Sequence, residues 1–76
     1  MNELDYVILD ILAKRKKISK DVLNLISVMN NKEKIKLIRY LYIMLFKYSI
    51  IPSDNRIRKE IFKITYKNRS GYMSDE

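Results

Sequence analysis

Residues 40–46 read YLYIMLF, a run of seven apolar or aromatic side chains inside a short, lysine-rich chain. Such a run can be the middle of a buried helix, a contact with a membrane, or a surface for a partner protein. Arg39 and Lys47 flank it, whereas a transmembrane helix needs about 18 or more consecutive apolar residues. The run therefore does not span a bilayer. Its helical periodicity indicates whether it lies in a buried helix or on a surface.

The run lies inside the longest predicted helix, residues 32–49. Two neighbouring apolar rows follow this helix at helical spacing. One row contains Ile35, Ile38, Tyr42, Leu45 and Phe46, and the other contains Leu37, Leu41, Met44 and Tyr48. A helix that is apolar over so broad a face is usually central and is contacted by several others. We therefore expect YLYIMLF to be the hub of the core.

Three further segments, residues 3–15, 19–30 and 54–68, also have the spacing of amphipathic helices. Ser19, Asn31, and either Ser53 or Asp54 are the expected N-caps, because their side chains can accept hydrogen bonds from the first turn of a helix. Pro52, the one proline, should end the helix that precedes it. The second segment is short, so a count of three helices remains an alternative to four.

These segments predict a single all-α domain over residues 1–76, a small antiparallel four-helix bundle with a tail at residues 71–76. A chain of this length buries only about 60% of the surface that its unfolded form exposes, so its margin of stability is thin. The expected inward rows, apart from those given above, contain Leu4, Val7, Ile8, Ile11 and Leu12, then Val22, Leu25, Ile26 and Met29, then Ile57, Ile61 and Ile64.

The residue types that support most enzymatic chemistry are missing from the chain. Cysteine and histidine are absent and there is one glycine, which leaves no thiolate ligand, no imidazole base and no phosphate-cradling loop. The acidic residues are scattered, without a pair in an apolar setting that would separate their pKa values. We expect no enzymatic activity, no catalytic residue, no metal site and no cofactor.

The formal net charge of +7 is concentrated in the second half of the chain. Between residues 32 and 71 there are eleven basic and three acidic residues. A field of this kind attracts phosphates, anionic lipid head groups or an acidic protein surface, and charge alone does not choose among them. A lysine-rich surface that only keeps the protein hydrated is the plain alternative.

The predicted fourth helix and the tail carry the candidate partner-binding residues. Basic side chains cover the sides of this helix away from its isoleucine row, and an aromatic and a thioether side chain follow Gly71 in the tail. The set is Arg56, Arg58, Lys59, Lys63, Lys67, Arg69, Tyr72 and Met73. Lys59, Lys63 and Lys67 are successive i, i+4 neighbours, which repel one another unless an anion relieves them.

Residues 37–71, LIRYLYIMLFKYSIIPSDNRIRKEIFKITYKNRSG, form a pattern of their own. It contains the Tyr40-Leu41-Tyr42 triplet, the Ile61 and Ile64 row, and Arg69 with Gly71 before an aromatic tail. This half of the chain resembles the C-terminal half of the pediocin-like, or class IIa, bacteriocin immunity proteins, particularly the enterocin A immunity branch. Members of that family are small, basic, cysteine-poor cytosolic proteins that fold as antiparallel four-helix bundles.

The resemblance implies a function. Immunity proteins of this family protect the producer cell from its own bacteriocin by acting from the cytosolic side on the membrane-embedded permease of the mannose phosphotransferase system, once the bacteriocin has captured it. The chain would then be cytoplasmic, with no recognisable signal peptide, and a peripheral contact with anionic membrane stays open. The alternative is a small basic helical regulator of phage or plasmid origin that binds nucleic acid.

Overall fold

The computed structural model describes residues 2–14 and 18–69, the last three by their backbone. Within these residues the protein is all α-helical and contains four α-helices, α1 (Glu3–Leu12), α2 (Lys20–Ser27), α3 (Asn31–Tyr42) and α4 (Asp54–Arg69). A π-helical turn, Ile43–Lys47, continues α3 without a break. The prediction of a small four-helix bundle is confirmed, although α1 and α2 each end three residues earlier than expected.

Side-chain caps begin each helix. Ser19 Oγ accepts a hydrogen bond from the Val22 N–H at 3.2 Å, as predicted, and Ser53 Oγ accepts one from the Arg56 N–H at 3.3 Å. The predicted cap Asn31 was wrong by one residue. Asn30 is the N-cap of α3, because its backbone N–H and side chain exchange hydrogen bonds with Glu33, each 2.8 Å long.

Helices α1 and α3 lie side by side and run parallel at their N-terminal ends. The Asn2 side-chain amide donates to Asn31 Oδ1 at 2.9 Å, and one turn further on Lys34 Nζ lies 2.8 Å from Asp5 Oδ1. Both pairs are separated by 29 residues in sequence. The same offset relates Ile8 to Leu37 and Leu12 to Leu41, which are all buried. The polar contacts at the helix ends and the buried apolar residues further along are therefore related by the same offset of 29 residues.

Helices α2 and α4 form the second pair, and α3 packs against α4. Arg58 Nη1 lies 3.3 Å from Asp21 Oδ2, which joins the first turn of α2 to the second turn of α4. One apolar core occupies the space between the two pairs, and it holds the predicted isoleucine row of α4. Its buried members are Ile8, Ile11, Leu12, Val22, Ile26, Met29, Leu37, Leu41, Ile57, Ile61 and Ile64.

The expectation that YLYIMLF is the hub of the core was wrong. Of residues 40–46, Leu41 alone is buried, while Tyr42, Ile43 and Phe46 are exposed. The core takes the Leu37 and Leu41 row because the offset between α1 and α3 turns that row inward. The neighbouring row lies at the edge of the core as a consequence. Its members Ile38 and Leu45 are partly buried and pack against the core, whereas Ile35 is exposed. Tyr48, which we expected to continue the row of Leu37 and Leu41, is exposed as well.

The π-helical turn ends where the chain reverses direction toward α4. The Tyr48 N–H donates to the Ile43 carbonyl at 3.2 Å, and the Ile50 N–H donates to the Met44 carbonyl at 2.7 Å. Ser49, between them, has a φ of 56°, in the left-handed region that glycine usually occupies at the end of a helix. The reversal precedes Pro52, which is buried, and it brings the start of α4 back along α3.

Candidate functional site

A groove of about 430 Å³ lies between α3 and α4. Tyr40 and Met44, one turn apart, line it from α3 and the π-helical turn, and α4 contributes four charged side chains, Arg56, Lys59, Glu60 and Lys63. Positions i, i+3, i+4 and i+7 of a helix lie on one side, so these four residues face the groove together. The groove therefore places three of the predicted partner-binding cations next to a phenol and a thioether.

The charges in the groove are only partly neutralised. Glu60 Oε1 lies 3.9 Å from Lys63 Nζ, a long contact in which the Lys63 side chain is largely exposed. An exposed pair of this kind contributes little to stability, in the range of about 0–1 kcal/mol. Arg56 and Lys59 remain on the same side of α4 as Lys63. The groove consequently has a net positive charge that is suited to an anionic or acidic partner.

Tyr40 is half-buried at the α3 side of the groove. Burial raises the pKa of its phenol above the ordinary value of 10.0, and the nearby Glu60 carboxylate raises it further, while Arg56 acts in the opposite direction. Loss of a proton would place a second negative charge close to Glu60 in a partly desolvated position. The phenol therefore stays protonated at neutral pH and can both donate and accept a hydrogen bond.

Arg58 lies apart from the groove, on the side of α4 that meets α2. It donates to Asp21 Oδ2 at 3.3 Å and to Asn55 Oδ1 at 3.1 Å. The predicted basic face of this helix thus consists of a groove group, Arg56, Lys59 and Lys63, and a separate arginine between helices. The side chains of Lys67 and Arg69, and the residues Tyr72 and Met73, lie outside the described part of the chain.

The outer side of α4 carries two exposed aromatic side chains, Phe62 and Tyr66, one turn apart. Phe62 is next to the inward isoleucine row in sequence but does not belong to it. Ile61 and Ile64 fill that row, and Phe62 follows Ile61 by a single position, which rotates it toward solvent. Lys59 lies three positions before Phe62, and Lys63 lies three positions before Tyr66, so cationic and aromatic groups share this surface.

Sequence reasoning also missed Tyr40, Met44 and Glu60 as members of one site. The spacing of Tyr40 and Met44 indicates that they share a side of α3, and Glu60 shares a side of α4 with Arg56. Nothing in the spacing within either helix tells which sides of two helices meet. The reversal at residues 48–53 and the packing of α3 on α4 decide that.

Within residues 2–14 and 18–69, no group of three or more acidic side chains comes together in a way that could hold a metal ion. Over the same residues, every helix is too short or too polar to cross a bilayer.

Comparison of the chain with protein-family models, with curated proteins and with solved structures finds no match.

Proposed function

We propose that the protein is a non-enzymatic bacteriocin immunity protein of the pediocin-like type, which acts from the cytosolic side on the bacteriocin-captured mannose permease. The observation that carries the proposal is the groove between α3 and α4. It joins Tyr40, from the triplet on which the resemblance rests, to the cations Arg56, Lys59 and Lys63 of the adjacent helix. Two parts of the resembling half of the chain thus meet in one surface.

The groove offers the contacts that such a partner needs. Arg56 can grip a carboxylate through two parallel hydrogen bonds, while Lys59 and Lys63 act as mobile point charges. The Tyr40 phenol supplies a neutral donor, and the flexible side chain of Met44 adapts to an apolar group of the partner. We infer that an acidic cytosolic segment of the captured permease binds here and that its binding keeps the pore closed.

The test is survival of a sensitive lactic acid bacterium that expresses the protein and is challenged with a panel of pediocin-like bacteriocins. We expect protection against at least one of them. Replacing both Lys59 and Lys63 with Glu should abolish protection, because the groove would then repel an acidic segment. The matched control is Lys20→Glu, an exposed cation of α2 outside the groove, which should leave protection intact.

Two results would contradict the proposal at different levels. If the folded protein is present and none of the bacteriocins is countered, the immunity function is rejected. If protection is seen and the double Glu variant protects as well as the original chain, the immunity function stands and the groove is not the contact surface. Circular dichroism of each variant establishes that it is folded before the comparison is made.

A second candidate, a small nucleic-acid-binding regulator, is favoured by one specific observation. Phe62 and Tyr66 are exposed beside Lys59 and Lys63 on the outer side of α4, and bases stack on aromatic rings while lysines neutralise phosphates. A gel-shift series against salt separates the two candidates. Each lost phosphate contact changes the slope of log affinity against log salt by about 0.7–0.9. Phe62→Ala should weaken binding without changing this slope, and the absence of binding at low salt removes the candidate.

A further inference from the structure

Six exposed apolar side chains lie together where α3 ends and the chain reverses. This set, which we name the apolar tip, consists of Tyr42, Ile43, Phe46, Tyr48, Ile50 and Ile51. The Tyr42 and Phe46 rings contact each other with their centroids 5.1 Å apart. The hydrogen bond from the Ile50 N–H to the Met44 carbonyl, 2.7 Å long, folds the following loop back onto the π-helical turn. Helix, turn and loop therefore present one apolar surface at one end of the molecule.

The surroundings of the apolar tip are cationic. Arg39, one turn before Tyr42 and Ile43, and Lys47, which directly follows Phe46, are exposed basic side chains. Residues 39–51 contain no acidic residue. Lys47 Nζ lies 5.6 Å from the centre of the Tyr48 ring, so a cation lies directly beside the apolar groups. Whatever covers the tip thus meets an apolar surface with positive charges at its edge.

An apolar surface with positive charges at its edge fits some kinds of partner better than others, among a second copy of the chain, a partner helix and a membrane. A second copy of the chain would bring its own cations against these, which costs free energy and disfavours a symmetric dimer. A partner helix usually binds in a groove, whereas the tip is the outer face of one helix and the turn that follows it. Tyrosine and other aromatic side chains are enriched at the boundary between lipid and water, and basic residues are attracted to anionic head groups.

We propose that the apolar tip inserts into the interfacial region of an anionic lipid membrane, with Arg39 and Lys47 placed at the lipid phosphates. Insertion of this kind buries the aromatic and isoleucine side chains at the head-group boundary and leaves the bundle outside the bilayer. The proposal concerns a surface that is separate from the groove between α3 and α4. It does not rest on the immunity function, and it holds or fails independently of it.

The chain contains no tryptophan and two phenylalanines, which allows a matched pair of fluorescent probes. Phe46, in the tip, and Phe62, on the outer side of α4, are each 60% exposed. Phe46→Trp and Phe62→Trp are each titrated with vesicles of phosphatidylglycerol and with vesicles of phosphatidylcholine. We expect the emission of the Phe46→Trp protein to shift to the blue and to be quenched by brominated lipid in the anionic vesicles, and that of Phe62→Trp to stay unchanged.

Binding itself is measured by co-sedimentation with the anionic vesicles. Phe46→Ser should weaken it roughly tenfold, which corresponds to about 1.4 kcal/mol, because the variant loses the burial of the ring at the head-group boundary. The matched variant Phe62→Ser should bind as the original chain does. Higher salt should weaken binding of the original chain and of Phe62→Ser, because salt screens the attraction between the basic side chains and the anionic lipid.

Three results would overturn the proposal. The first is the absence of a blue shift for Phe46→Trp in anionic vesicles, which would point to a protein partner instead. The second is an equal shift for the two tryptophan variants, which would mean that α4 meets the lipid as much as the tip does and that the tip is not the specific contact. The third is a blue shift of Phe46→Trp without vesicles that grows with protein concentration, since that result would identify a second copy of the chain as the occupant.

Discussion

Ser49 occupies a backbone conformation that suits glycine better than any other residue. Its φ of 56° lies in the left-handed region, where a Cβ atom costs roughly 1–2 kcal/mol. Ser49→Gly removes the cost of the Cβ atom, but glycine loses more backbone entropy on folding than serine does. The first effect is the larger, so Ser49→Gly should raise the free energy of unfolding by about 0.5–1 kcal/mol. Urea denaturation followed by circular dichroism measures the change.

The control for Ser49→Gly is the same substitution at Ser53. Ser53 caps α4 through its hydroxyl, and replacing a capping serine with glycine costs a few tenths of a kcal/mol. The two variants should therefore change stability in opposite directions. An equal change in both would mean that the left-handed conformation of Ser49 carries no strain.

Asp5 and Lys34 form a nearly buried ion pair between α1 and α3, 2.8 Å long. The hydrogen bond from Lys34, followed by that from the Asn2 backbone N–H, holds the pKa of Asp5 below its ordinary value of 3.8, although burial acts to raise it. A carboxylate with a lowered folded pKa stabilises the protein above its unfolded pKa, and this stability is lost as the pH falls toward the folded value. The pair should therefore contribute fully above about pH 5.

Asp5→Asn should lower the free energy of unfolding at pH 7 by about 2–3 kcal/mol, because it leaves the Lys34 charge nearly buried without its counterion. It should also flatten the fall in stability between about pH 5 and pH 3. Thermal unfolding over this pH range, with the exposed acid of the same helix as control in Asp10→Asn, measures both effects. A curve as steep for Asp5→Asn as for the original chain would exclude the pair as the source of acid sensitivity.

Helix α3 and the turn after it carry two apolar rows of similar size, and only the row of Leu37 and Leu41 contributes fully buried side chains to the core. Leu41→Ser should cost about 3–5 kcal/mol, since it removes buried methyl groups and buries a hydroxyl. Tyr42→Ser, at the next position, should change stability by less than about 1 kcal/mol, because the ring is exposed. Urea denaturation of the two variants compares the rows directly, and equal losses would contradict the register set by α1.

Helix α4 has one continuous apolar row, and the prediction that its isoleucines face inward is confirmed. Ile57, Ile61 and Ile64 follow one another at spacings of four and three, and charged side chains occupy the positions around them. The pattern of α3 lacked such a contrast between its sides. A helix with two apolar rows can be rotated by a single position at little cost in burial, so its own sequence leaves the inward side undecided.

At the scale of the whole molecule, the formal net charge of +7 on 76 residues is expected to act against compactness through self-repulsion. Raising the NaCl concentration from about 10 mM to about 300 mM shortens the screening length and should raise Tm by roughly 4–8 °C, the equivalent of about 1 kcal/mol for a domain of this size. Thermal unfolding monitored by circular dichroism over a NaCl series measures this shift.

The matched variant for the salt experiment replaces both Lys59 and Lys63 with Gln. It removes two cations of the groove and should show a smaller increase in Tm with salt than the original chain. A replacement at Arg58 is unsuitable as the control, because Arg58 pairs with Asp21 across helices. A decrease in Tm with salt would indicate that attractive ion pairs outweigh the repulsion.

Local patterns in the sequence specify the short amphipathic helices and their caps Ser19 and Ser53. They also specify the inward position of the isoleucines of α4 and the positive charge of the second half of the chain. These features depend on neighbours within a turn or two, where spacing and side-chain chemistry act directly. The packing of the helices on one another determines which row of α3 is buried. It also places Arg58 against Asp21, away from the groove, and brings Tyr40 next to Arg56, Lys59 and Lys63. Those outcomes depend on the contacts between Asn2 and Asn31 and between Asp5 and Lys34, pairs 29 residues apart that orient α3 once α1 has folded against it.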